Sequence, residues 1–292
     1  MNKNTLIINH LSQHPIFQKY NEFFELDLMK LLRIDQRIRF FSWGELYLNL
    51  RSLQHPTRED DSITVATSIE VFCLAAKILD DMLDGDSSLE HFLNRDNVLL
   101  LYTELLTDTF QKLSIHPAFS LAIVHLADSV NGEFNDINLC PISHTFTKQD
   151  YVRTVLPKTS SIIKFICTLA GMDETFIDFF AESYGYLLQV KNDLKGIYSH
   201  TKNDLKKIRP TLPLIKALDS AQGVKLRTIL ESPDFLVEDA KQLILASGSL
   251  EYYSFRMQDK YELLSKYLNG CYPNASDTAN QLLSMLSKGD KL

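Results

Sequence analysis

The chain has 292 residues, 45% of them hydrophobic and 23% charged, with a formal net charge of −7. It can therefore bury a large core, and its acidic balance excludes nucleic acid as a main partner. Gly (10) and Pro (9) are each about 3% of the chain, below the usual ~7% and ~5%, so long helices are expected rather than many short strands.

The start, "MNKNTLIINHLSQHP", has neither a long apolar stretch nor a small-residue cleavage site, so no signal peptide is expected. No run approaches ~18 uninterrupted apolar residues, which predicts no transmembrane segment and leaves peripheral membrane contact open. Cys73, Cys140, Cys167 and Cys271 show no C-x-x-C spacing and read as reduced thiols of a cytoplasmic protein. The histidines His10, His14, His55, His91, His116, His125 and His144 are scattered without ligand spacing.

Helical periodicity then dominates. Segments at 16–33, 40–54, 62–84, 94–113, 117–137, 148–170, 173–198, 211–218, 223–231, 236–246 and 250–269 read as helices. Short punctuators such as "DGDSS", "NLCPISH" and "NGCYPNAS" separate them, and none is long enough to be a domain linker. The expectation is a single all-α domain over 1–292, a helical bundle with its sites on facing helices.

The helix expected from an N-cap at Ser62 to a C′ residue at Gly85 ends in "FCLAAKILDDMLDGD". Its C-terminus already carries partial negative charge, so acids there are disfavoured by ~0.3–1 kcal/mol each. Asp80 and Asp84, at i,i+4, add ~0.2–0.5 kcal/mol of repulsion. Something positive is expected at that rim. Several oxygens from one helical turn suit a hard cation such as Mg2+, and Ile69, Phe72, Cys73 and Ala76 lie beneath them at helical spacing.

Three later segments carry further polar groups. In "HLADSVNGEFNDI", Gly132 and Asp136 share a face with Glu133 beside them, and a helical Gly costs ~1 kcal/mol against Ala, which invites a reason such as close ligand approach. In "VRTVLPKTSSIIKFICTLAG", Pro157 is expected to kink or restart the helix next to Lys158 and Thr159, a combination that suits a substrate oxyanion. In "YGYLLQVKNDLKG", Gln189, Asn192 and Asp193 fall at i, i+3 and i+4 and form one polar patch. The following "TKNDLKKIRPTLP" reads as a basic loop with Lys202, Lys206, Lys207 and Arg209, closed by Pro210 and Pro213.

In this order the segments resemble the trans-prenyltransferase (polyprenyl synthetase) family over roughly residues 37 to 218. "ATSIEVFCLAAKILDDMLD" is similar to its first aspartate-rich helix and "NGEFND" to its G-Q-x-x-D, with Glu133 at the glutamine position. "LPKTSSIIKFICTLAG" resembles its K-T element, "QVKND" its Q-I-x-D-D, and "NDLKKIRPTLP" its D-L-x-x-G-K-x-T-L-P. The resemblance implies a bundle of the isoprenoid synthase type with a central apolar cavity. It also implies Mg2+ held by Asp80, Asp81, Asp84, Asn192 and Asp193, and an allylic isoprenyl diphosphate bound by Lys158, Thr159, Gln189, Lys202 and Arg209. Asp80, Asp81, Asp84, Lys158 and Asp193 would carry catalysis. Ile69, Phe72, Cys73, Ala75, Ala76, Gly132 and Asp136 would line the hydrocarbon pocket. Ala75 and Ala76 are small, and Phe72 lies two turns down, ~12 Å of helix rise, so an allylic chain of about C10 to C20 is expected. The family is often dimeric, which makes a homodimer an expectation as well.

The departures point to the acceptor. The upstream G-G-K-R is reduced to "DQRIRF", with Arg37 and Arg39. Arg-Arg-Gly after the first motif is replaced by "GDSSLEHF", and the family's histidine by Cys73. Asn192 and Gly196 thin the second motif. Those first three elements bind isopentenyl diphosphate, so the allylic half looks intact and the isopentenyl half lost. That pattern is similar to the ComQ-type pheromone-modifying subgroup, which prenylates a tryptophan of a small signalling peptide. Three other readings stay open: a synthase elongating with isopentenyl diphosphate, a terpene cyclase ("NDLKGIYSH" partly matches N-D-L-x-S-x-x-x-E) and a non-catalytic isoprenoid-binding subunit.

Overall fold

A computed structural model describes residues 2–54, 60–143, 146–198 and 204–287. Among the described residues every regular element is helical and none is a strand. In chain order the α-helices are α1 (Lys3–Ser12), α2 (Pro15–Phe24), α3 (Leu28–Leu31), α4 (Ile34–Phe40), α5 (Trp43–Gln54), α6 (Asp60–Asp84), α7 (Arg95–Leu113), α8 (Phe119–Ala122) and α9 (Val124–Asn138). Then come α10 (Lys148–Thr154), α11 (Pro157–Ala170), α12 (Glu174–Tyr198), α13 (Leu212–Leu218), α14 (Gly223–Leu230), α15 (Val237–Ala246), α16 (Ser249–Cys271) and α17 (Ser276–Ser287).

The breaks have local causes. Glu25 (φ 51°) turns left-handed and divides the expected 16–33 helix into α2 and α3, and Arg33 (φ 50°) turns the same way between α3 and α4. Pro157 starts a new helix after α10, as its missing N–H favours at a first turn. Ser62 lies inside α6 rather than capping it. At the other end Gly85 adopts φ 65°, its amide bonds the Met82 carbonyl (3.2 Å) and the Asp86 amide bonds that of Asp81 (2.8 Å). This is the left-handed stop that only glycine takes without steric cost. Helices α1, α4 and α17 carry no expectation from the sequence reading and are additions to it.

The chain divides into two compact units: residues 1–121, 166–172 and 272–292, and residues 122–165 and 173–271. In the first, α6 packs against α1, α5 and α7, burying Ala66, Ile69, Ala75 and Ile78. Residues Ser62–Asp84 are long and apolar enough to cross a membrane by length and composition, but they are mostly buried and serve as a core helix. Glu70, also buried, accepts hydrogen bonds from the Ser42 hydroxyl (2.9 Å) and the Gly44 amide (2.8 Å) at the start of α5. Burial outweighs those donors and pushes its carboxyl up to about 7. In the second unit, α12 packs against α13 and α16, over a core that includes Tyr151, Val190, Leu212 and Tyr253.

Candidate active site

The first unit carries the acidic motif at the end of α6. Asp80 and Asp81 both reach the ammonium of Lys77, one turn back on the same helix, at 2.5 and 2.7 Å. The Arg37 guanidinium stands 3.6 Å from Asp81. The positive charge expected at this rim is thus supplied in part by the chain itself. Burial alone would pull the Lys77 pKa down, but Asp80 and then Asp81 more than offset it and hold it above the ordinary value. Asp84 is half-buried just before the Gly85 stop.

Beneath the motif, Ile69 and Ala75 are fully buried, Phe72 and Cys73 nearly so, and Ala76 is half-buried. The Phe72 ring stacks on Phe110 of α7, centroids 6.2 Å apart. Burial, with Glu70 adding to it, pushes the Cys73 thiol well up, so it remains neutral.

The second unit holds two linked groups. Lys158, at the first turn of α11, lies 2.8 Å from Glu133 and 2.9 Å from Asp136, both on α9. Arg209 donates to the Asp136 carbonyl (3.1 Å), and the Ser129 hydroxyl to that of Lys158 (2.8 Å). A side chain on Gly132 would fall inside the backbone of Lys158. The reason for that glycine is therefore the close crossing of α9 and α11. Asp136, expected with the hydrocarbon pocket, belongs instead to this charged group, since an ion-paired carboxylate is no lining for a tail.

The other group is a hydrogen-bonded chain. Thr159 donates to Gln189 (2.5 Å), and Gln189 donates to Asp193 (3.0 Å). Asp193 also accepts from the Tyr151 hydroxyl and from the Leu212 amide at the start of α13, both at 2.8 Å. Burial pushes the Asp193 carboxyl up to about 7 despite these three donors, and the nearby Asp136 charge adds to the rise. Both of its oxygens are engaged by the protein: Oδ1 accepts from Gln189, and Oδ2 from Tyr151 and Leu212. Asn192 points outward, exposed. The spacing predicts one patch of three, and within it the structure joins Gln189 to Asp193. Lys202 lies outside the described residues.

A cleft of about 740 Å³ in the second unit is lined by residues including Asn135, Ser160, Lys164 and Tyr186. Of the expected site residues, Gly132 lines it, while Lys158, Thr159, Gln189 and Asp193 do not. Sequence reasoning missed two groups. Lys77 was readable from its i,i+3 and i,i+4 spacing to Asp80 and Asp81. Tyr151, 42 residues from Asp193, left no local signal.

No family model matches the sequence. Among solved structures, the chain superposes on geranylgeranyl pyrophosphate synthase from Lactobacillus brevis with a TM-score of 0.79 and 17% identity, covering 97% of this chain and 95% of that one. It superposes on a polyprenyl synthase from Caulobacter crescentus, solved with calcium and isoprenyl diphosphate, with a TM-score of 0.75 and 16% identity, covering 99% and 94%. In sequence it is similar to the tryptophan prenyltransferase ComQ of Bacillus subtilis subsp. natto, 24% identical over 77% of this chain and 75% of that protein. The ComQ of Bacillus spizizenii is 27% identical over 64% and 70%. The chain thus shares the all-helical fold of these synthases, and its sequence is similar to two ComQ tryptophan prenyltransferases.

For Mg2+, the geometry offers a pair rather than a cage. Among the described residues no three His, Cys, Asp or Glu side chains gather as a metal cluster. Asp80 and Asp81 do converge on one cation, the Lys77 ammonium. Two carboxylates, with waters and substrate phosphates completing the shell, are what Mg2+ ordinarily uses. The residues fit the ion on those terms.

Proposed function

We propose that this prenyltransferase ionises an allylic isoprenyl diphosphate of about C10 to C20 and transfers the prenyl group to a tryptophan of a small peptide. The observation that carries the acceptor is the similarity to two proteins named tryptophan prenyltransferases. An indole also suits the chemistry, because its π face both stabilises and traps a cation.

In this reading Asp80 and Asp81, with Asp84 one turn on, would hold Mg2+, and the ion would supply Lewis acidity and orientation for the leaving diphosphate. Lys158 and Arg209 neutralise diphosphate oxygens, and Thr159 is aimed by Gln189, which Asp193 fixes in turn. Ala76 and Phe72 flank the tail and exclude water that would quench the carbocation. The whole chain acts as one catalytic domain in the cytoplasm, paired as a homodimer. The cyclase pattern N-D-L-x-S-x-x-x-E is matched only in part, with Gly196 at its serine position and His200 at its glutamate position.

The test is incubation with Mg2+, geranyl or farnesyl diphosphate, labelled isopentenyl diphosphate and a Trp-containing peptide. Prenylated peptide with stoichiometric pyrophosphate is the expected result. Labelled longer chains would establish an elongating synthase instead, and cyclic hydrocarbons a cyclase.

A further inference from the structure

Lys77 is held by the two carboxylates that the proposed metal must use. Its ammonium bridges Asp80 and Asp81 within one turn of α6, at the end of the helix where acids need compensation. The side chain is 44% exposed, so it has room to swing into water. A dication and an ammonium compete for these oxygens, because at a few ångströms their repulsion is double that of two single charges.

We propose that Lys77 is a built-in competitor of the metal at this motif, holding Asp80 and Asp81 together in the ligand-free protein and yielding them when Mg2+ enters with the diphosphate. The inference rests on the Mg2+ reading above. Its consequence is coupling. Displacing the ammonium leaves the motif short of nothing only if the metal brings its own charge, and the diphosphate is what makes that excess positive charge welcome. Metal alone should therefore bind weakly, and metal with a diphosphate strongly, with Lys77 setting the difference.

The test is Mn2+ binding, followed by the electron paramagnetic resonance signal of the free ion, with and without inorganic pyrophosphate. Lys77→Met should bind Mn2+ alone about tenfold more tightly than the natural chain, and pyrophosphate should improve its affinity less. Lys77→Arg, which keeps the charge, should behave like the natural chain. Circular dichroism reports folding, and Lys77→Gln serves as the neutral variant if the methionine substitution unfolds the chain. Equal or weaker Mn2+ binding by the neutral variant would overturn the role of Lys77 alone. No Mn2+ binding by the natural chain even with pyrophosphate, or binding undiminished by Asp80→Asn, would overturn the metal reading and the competitor with it.

Discussion

The two units use aspartate in opposite ways. Asp80 and Asp81 sit at a partly exposed helix end, and their partners are the long side chains of Lys77 and Arg37. Asp193 is 2% exposed and meets a tyrosine hydroxyl, a glutamine amide and a backbone amide. Flexible cations at a wet rim can be exchanged for another cation at little cost, because exposed ion pairs contribute only ~0–1 kcal/mol. Fixed donors around a buried carboxylate cannot, because each one left unpaired costs ~1–3 kcal/mol. The first arrangement suits a site that changes partners, and the second one that keeps a shape.

The contrast breaks most visibly under alanine. Asp193→Ala should destabilise the fold by ~2–4 kcal/mol through its orphaned donors, read by urea unfolding. Asp80→Ala should change stability by less than ~1 kcal/mol yet abolish Mg2+-dependent pyrophosphate release. Equal losses of stability in the two variants would erase the distinction. Gly132→Ala comes next: its Cβ would collide with the Lys158 backbone, so overpacking should cost ~1–3 kcal/mol and displace Lys158, seen as a raised KM for the allylic diphosphate.

A pH series sharpens the same point. With its folded pKa at about 7 and an ordinary value of 3.8, Asp193 binds a proton in the native state across a range where the unfolded chain does not. Its contribution therefore favours the fold at acid pH and is lost as pH rises from about 4 through 7. Glu70, also pushed up to about 7, acts in the same sense. His14 acts oppositely. Burial holds its pKa below 6.5, so its contribution falls away as pH drops below that value. Asp193→Asn should flatten the acid-side gain in unfolding free energy, and an unchanged slope would remove Asp193 from the account. The smallest expected effect is at Glu133. Glu133→Gln removes one of two carboxylates from Lys158 and should tighten pyrophosphate binding by a factor of ~2–5, measured by calorimetry.

What the sequence disclosed follows the range of the physics. The Gly85 stop and the Pro157 restart were readable because each depends on a residue's own backbone. The acidic motif was readable because its acids stand against the helix dipole. Lys77 was equally local, yet reading the acids as ligands for an outside cation hid the cation beside them. Glu25 broke a helix without warning, since its residue type does not favour a left-handed turn. The Asp193 node was out of reach. Its spacing to Gln189 was plain, but Tyr151 and Leu212 lie 42 and 19 residues away and reach it only through the fold. Gly132 was noticed for the right cost and given a different cause: a neighbouring helix takes the space, not a ligand.

The Leu212 amide has one more consequence. A backbone N–H in the first turn of a helix ordinarily lacks an intrahelical acceptor and trades its hydrogen with solvent readily. This one is locked onto a buried carboxylate at the end of a chain that begins at Thr159. Deuterium reaches it when the node opens, so its exchange rate is a clock for that opening. Occupancy at Thr159 should slow the clock, making one peptide in a mass spectrum a remote reporter of whether the diphosphate is bound.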